Sequence, residues 1–246
     1  MNSIILLSFL IFAAAIIYSS VGHGGASGYL AAMALVGIAP DVMKPTALAL
    51  NILVSSIAFY HYLSVKAFDW KIFWPLMLTS IPMAYLGGMI NLPEIYYKPL
   101  VGLVLIYAAF YSYQRSSKTT SYKVRSASVK HLLPVGVLLG FLSGLTGVGG
   151  GIFLSPLLLF TRWAAIRSIS GIAALFILVN SVAGLSGYLM AGHTMPAAVP
   201  WWILASVLGG LIGARFGSKR FSNPIIQKIL ALVLLIAGVK MVLTSF

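Results

Sequence analysis

Two glycine-rich runs concentrate the residues able to handle a small ligand. The first, "VGHGGASG" at residues 21–28, contains Gly22, His23, Gly24, Gly25 and Ser27, and the second, "TGVGGGIF" at residues 146–153, contains Gly149, Gly150 and Gly151. Each run is followed by an apolar stretch spotted with neutral hydrogen-bonding groups. Asn51 and Ser55 are four residues apart and so share one helix face, with Ser56 beside them, and the second stretch carries Asn180 and Ser181. Glycine lets backbone N–H groups approach a ligand without an intervening side chain. A helix that opens on such a run also presents unpaired N–H groups and the positive end of its dipole. The two runs together outline a binding site for a small anion. Neutral Ser and Asn donors suit a ligand that must also leave.

The elements that must position these residues are membrane helices. Of 246 residues, 60% are hydrophobic and 8% charged. The mean hydropathy of +1.01 lies far outside the range of soluble domains. Apolar stretches of roughly 20 residues recur from end to end, whereas barrel strands would alternate over short segments. The expected fold class is an all-α polytopic membrane protein with hydrophobic segments near residues 3–20, 26–40, 44–64, 72–90, 96–114, 132–145, 151–161, 165–190, 196–214 and 225–245. The first of these lacks a basic leader and a small-residue cleavage site, so it reads as a retained helix rather than a signal peptide. The absence of cysteine excludes disulfide and thiolate chemistry. No catalytic residue, metal-ligand cluster or cofactor is expected.

The chain repeats itself. At a shift of 125 residues "GHGG" (22–25) falls on "GVGG" (147–150), and "ALNILVSSIA" (49–58) falls on "ALFILVNSVA" (174–183) with seven of ten positions identical. At 126, "SIPMAYLGG" (80–88) meets "SVLGGLIGA" (206–214), and at 130 "KPLVGLVLI" (98–106) meets "KILALVLLI" (228–236). Order is kept and the drift is small, so a five-plus-five repeat is expected, with residues 1–114 and 131–246 as halves and the polar stretch 115–130 as linker. An odd number of segments per half makes the halves inverted. Ala205, Gly209, Gly213 and Gly217, spaced by four, read as a helix-packing stripe rather than a site. Pro75, Pro82, Pro156 and Pro200 read as kinks or helix starts.

Charge sets the orientation. Alternate loops collect Lys66, Lys71, Arg115, Lys118, Lys123, Arg125, Lys130, Arg162, Arg167, Arg215, Lys219 and Arg220 on one face, leaving little beyond Lys44, Lys98 and Lys240 on the other. The basic face is expected to be cytoplasmic, with linker 115–130 inside and both termini outside a plasma (inner) membrane. This asymmetry accounts for the net charge of +13, and no nucleic-acid partner is expected. The second and seventh segments are too short to cross a hydrocarbon core of about 30 Å. They are expected to return as hairpins, which brings both glycine turns to the membrane interior. Irregular backbone at that depth must line a cavity, a construction used by secondary transporters.

The chain resembles the TauE/SafE sulfite-exporter-like transporters. The resemblance rests on "VGHGGASGYLAAMALVG" and "TGVGGGIFLSPLLLF", each followed by a polar-spotted helix, and on "GLIGARFGSKR" at 210–220. The second signature, with Gly147, Gly149, Gly150, Gly151 and Pro156, is the closer match; the first departs at His23, Ala26 and Ser27 and has no proline matching Pro156. The resemblance implies a plasma-membrane carrier of sulfite, sulfonates or short sulfo-carboxylates. The partners expected are therefore a small anionic substrate and the lipid bilayer, with a homodimer left open.

Asp41, Asp69 and Glu94, the only acidic residues, all fall in or near expected loops, so no carboxylate relay crosses the membrane. His23 is then the titratable group placed to handle a proton, if one is coupled. Two alternatives remain. An anion channel keeps the same architecture with both gates open together. A rhomboid-like intramembrane protease would use Ser27 in Gly25-Ala26-Ser27-Gly28 as nucleophile and His193 as base, against which Ile152 stands where the repeat would need a second serine.

Overall fold

The computed structural model describes residues 2–20, 22–64, 68–115, 123–220 and 224–244. They form ten helices: α1 (Asn2–Ser19), α2 (Ala26–Val36), α3 (Pro40–Ser64), α4 (Trp70–Met89), α5 (Glu94–Arg115), α6 (Val129–Thr146), α7 (Gly151–Thr161), α8 (Ile166–Met190), α9 (Val199–Arg220) and α10 (Pro224–Leu243). Helix starts follow local chemistry. Pro40 and Asp41 open α3, the Asp69 carboxylate accepts the Lys71 N–H at 3.0 Å as the cap of α4, and Glu94 opens α5. All three acids thus lie at helix N-termini, where their charge complements the dipole. Helix α3 begins four residues earlier than the hydrophobic pattern suggests, because those two starting residues are polar or cyclic rather than apolar.

Among the described residues, five helices are long and apolar enough to cross a membrane: Pro40–Ser64, Trp70–Met89, Glu94–Gln114, Val129–Thr146 and Ser168–Met190. Exposed Leu78, Phe110, Leu204 and Leu235 turn outward toward lipid. Helices α2 and α7 have 11 residues each, about 16 Å of helix, well short of a bilayer core. Residues 116–122 of the linker and Lys66 lie outside the described residues. So do the side chains of Arg115, Arg167, Lys219 and Arg220.

Several helix–helix contacts recur in corresponding pairs. Helix α4 lies on α6 as α1 lies on α9, α4 on α8 as α9 on α3, and α3 meets α8 as α5 meets α10. Small residues make the close approaches. A Cβ on Gly140 would fall 2.5 Å from the Ser80 Cα, and Gly144 abuts the Ala84 carbonyl. Gly209 and Gly213, from the four-spaced stripe, abut the Phe12 and Ile16 carbonyls, so the stripe joins α9 to α1. These contacts advance together along α4 and α6, and along α1 and α9, so each pair is parallel.

The central pair is antiparallel. Tyr188, near the end of α8, donates to the Asp41 carbonyl at the start of α3 (3.3 Å), while Gly22 is flanked by Tyr62 near the end of α3 and Ser170 near the start of α8. Helices α5 and α10 are antiparallel too, with Lys98 donating to the Thr244 carbonyl at 3.3 Å and Gly102 against Gly238 and Val242.

Candidate functional site

The first glycine turn begins where α1 ends. Gly22, at φ +80°, donates to the Ser19 carbonyl (3.1 Å) and His23 donates to the Tyr18 carbonyl (2.9 Å), the two bonds of a Schellman cap. The chain then runs back along α3, from Gly22 beside Tyr62 to Gly24 beside Asn51, before α2 starts at Ala26. The second turn mirrors it from the other end of α3. Gly147 (φ +81°) closes α6 next to the Lys44 backbone, and Gly149 (φ +79°) reaches Asn51 before α7 starts at Gly151.

Both turns therefore arrive at the same two side chains. A Cβ on Gly24 would meet Asn51 Oδ1 at 2.5 Å and Ile177 Cγ2 at 2.9 Å; one on Gly149 would meet Asn51 Nδ2 at 2.7 Å, Ile177 Cγ2 at 2.8 Å and Ser181 Oγ at 3.0 Å. Gly151 packs on Ile177 as well. The N-termini of α2 and α7 meet at this junction. The first intrahelical bonds are Tyr29 N–H to the Gly25 carbonyl (3.0 Å) in α2 and Phe153 and Leu154 N–H to the Gly150 carbonyl (both 3.1 Å) in α7. The N–H groups of Ala26, Ser27, Gly28, Gly151 and Ile152 have no carbonyl in their own helices, as the helix geometry requires.

Polar side chains at the junction are fully buried, and several of their atoms have no partner. Asn51 Nδ2 donates to the Val148 carbonyl at 3.3 Å, tying α3 to the second turn, while its Oδ1 accepts nothing. Ser181 Oγ is likewise unpartnered. Asn180 donates back to the Phe176 carbonyl of its own helix (2.7 Å), leaving its Oδ1 unpaired, and Ser55 bonds back to the Asn51 carbonyl. Such groups are normally satisfied by protein, ordered water or a ligand, so these atoms are available to a polar ligand at the junction.

Of the residues expected at the site, the structure gathers Gly24, Asn51, Gly149, Gly151 and Ser181 at one point. Gly22 stands at the far end of its turn. Gly25, at φ +101°, packs on the Tyr29 ring, and Gly150, at φ +76°, packs on Phe176. Ser27 donates to the Tyr18 hydroxyl at 2.8 Å. The Ser27–His193 pair that a protease would need is not formed, since His193 stacks on Tyr188 instead, with ring centroids 4.7 Å apart. His23, buried in the first turn, meets Ser155 of α7 through Nε2 to Oγ at 3.0 Å, a bridge from the first turn to the helix that follows the second.

Three contributors escape a reading of the sequence. Ser155 falls on Leu30 at the 125-residue shift, so the self-similarity points away from it, and its only signal is a hydroxyl in the middle of a largely apolar 11-residue helix. Tyr29 donates to the Gly24 carbonyl at 2.8 Å and so braces the first turn, yet it looks like any apolar-face aromatic. Lys44 is a correction: loop counting places it on the outer surface, but α3 starts at Pro40 and carries it inside, 1% exposed. A separate groove of about 790 Å³ lies between α3 and α9, with Ser56 and Arg215 on its walls and none of the turn residues lining it.

The sulfite exporter TauE/SafE family model matches residues 7–241. A probable membrane transporter protein of Sinorhizobium fredii is 37% identical over 238 residues, covering 96% of each chain. One of Methanocaldococcus jannaschii is 31% identical over 191 residues, covering 73% of this chain and 70% of its own. One of Bacillus subtilis is 28% identical over 240 residues, covering 90% and 92%. No solved structure matches the chain. Helices of this length and apolarity, wrapped around two buried glycine turns, and a family match across nearly the whole chain lead to one conclusion: the protein is a membrane transporter of the sulfite exporter TauE/SafE family.

Proposed function

We propose that the protein carries small anions, sulfur oxyanions or organosulfonates such as sulfite and sulfo-carboxylates, by alternating access around the junction of the two glycine turns. One observation carries this reading: two helix N-termini and the unpartnered Ser181 hydroxyl converge on Asn51 and Ile177. N–H groups and positive dipole ends favour an anion there, and the sulfur class comes from the family. The halves act as inverted repeats, a reading supported by the antiparallel course of α3 with α8 and of α5 with α10. The protein resides in the plasma membrane with both termini outside and residues 115–130 inside, as its basic loops favour. A homodimer is compatible with the exposed apolar helix faces.

Binding of sulfite and methanesulfonate to the purified chain tests the site. Asn51→Ala and Ser181→Ala each remove about 1.4 kcal/mol of hydrogen bonding, roughly tenfold in affinity. Unchanged affinity in both variants overturns the site. In proteoliposomes, preloading with unlabelled anion accelerates uptake by a carrier; no acceleration favours the channel.

A further inference from the structure

Lys44 lies in the second turn of α3, 1% exposed, and its Nζ donates to the carbonyls of Gly87 (3.3 Å), Gly88 (2.9 Å) and Ile90 (2.7 Å) at the end of α4. Three carbonyl acceptors match the three N–H donors of an ammonium. The face of Tyr188 lies 5.6 Å from it. No carboxylate answers the charge: among the described residues the sole ion pair joins Lys98 to Glu94, and Asp41 accepts its neighbour's Val42 N–H at 3.1 Å. Carbonyl dipoles solvate an ammonium without neutralising it, and a buried unpaired charge is costly to keep. An ionisable group held inside a membrane protein at such cost calls for a function and a partner.

Its position names the partner. Lys44 precedes Asn51 by seven residues, two helical turns on the same face of α3, about 10 Å along the axis. The second glycine turn fills that interval. Gly147 abuts the Lys44 backbone and stem, with the Lys44 Cγ 3.4 Å from where a Gly147 Cβ would stand, and Gly149 reaches Asn51. The Lys44 backbone and stem therefore border the second glycine turn, on the α3 face that carries Asn51, while the ammonium is turned to the end of α4.

We propose that Lys44 is the fixed counter-charge of the transported anion and sets the site's preference for charge: anion over neutral solute, and dianion over monoanion. This rests on the anion site described under Proposed function. Lys44 acts through the field rather than by contact, so it is a positioning residue. A unit charge about 10 Å away at an effective dielectric constant of about 20 changes affinity by roughly tenfold for each unit of substrate charge.

The test uses sulfate and methanesulfonate, tetrahedral anions of similar size that differ by one charge, at neutral pH and fixed ionic strength. Calorimetric titration of the full chain in lipid nanodiscs compares wild type with Lys44→Gln, which can still donate to two of the carbonyls, and Lys44→Arg, which keeps the charge. Lys44→Gln is expected to weaken methanesulfonate roughly tenfold and sulfate roughly a hundredfold, with Lys44→Arg close to wild type. A merely structural role moves both anions by the same factor, and that result, or no change in either, overturns the proposal while leaving the anion site standing. A wild-type chain that binds neither anion removes the site and the counter-charge together.

Discussion

The two glycine turns occupy matching places, yet they are held by different means. The second is shaped by backbone: Gly147, Gly149 and Gly150 all take positive φ, and the Asn51 amide reaches in to the Val148 carbonyl. The first has positive φ at Gly22 and Gly25 but is braced by side chains, with Tyr29 on the Gly24 carbonyl, Tyr62 on the Ser20 carbonyl, Ser27 on Tyr18 and His23 on Ser155. The second turn thus relies on three positive-φ glycines and one amide contact, while the first adds several side-chain hydrogen bonds to its two positive-φ glycines.

Single substitutions can break or sharpen the contrast. The largest effect belongs to Gly149→Ala, where left-handed backbone and contacts of 2.7–3.0 Å to Asn51, Ile177 and Ser181 act together. Backbone strain of about 1–2 kcal/mol adds to the steric cost, so anion binding is expected to be lost and the melting temperature to fall clearly. Gly24→Ala meets the same Asn51 and Ile177 without the backbone strain and should lose less in both measurements. Equal losses would mean that the turns do not differ as described. Next comes Tyr29→Phe, which leaves the Gly24 carbonyl without its donor and should cost about 1 kcal/mol in chemical denaturation. The smallest change is expected from Ser27→Ala, which removes a hydroxyl bonded only to Tyr18. Anion uptake should persist within a factor of about three, since the net worth of such a bond is about 0.5 kcal/mol at its lower bound. A variant that loses peptide cleavage while keeping uptake would restore the protease reading.

Much of the architecture is legible without coordinates because a membrane imposes it. Ten apolar stretches became ten helices, and α7 occupies the same residues, 151–161, that its hydrophobicity marks out. Glycine runs predict turns because positive φ is a local property. The positions of charges were less legible. Lys44, Lys98 and Lys240, counted as three loose cations of one face, each donate to carbonyls near the end of a helix other than their own: Lys44 to α4, Lys98 at Thr244 just after α10, and Lys240 at Leu35 in α2. Each is therefore engaged with a helix C-terminus, where a cation is favoured. What each of them holds together is shown only by its neighbours in space.

The candidate site divides in the same way. That Gly24, Gly149, Asn51 and Ser181 are candidates for one site is an expectation drawn from residue type and the self-similarity of the sequence. Which of them meet, and which are turned aside as Ser55 and Asn180 are, depends on contacts between residues about a hundred positions apart. The amino-acid sequence by itself determined the membrane helices, the two turns and the inventory of neutral donors, because hydrophobic length and glycine conformation act locally. Only the tertiary structure decided that both turns end on Asn51 and Ile177, that His23 reaches Ser155, and that Lys44 is enclosed without a carboxylate. Each of those depends on how the two halves pack, and packing is a property of pairs of surfaces that no single stretch of chain contains.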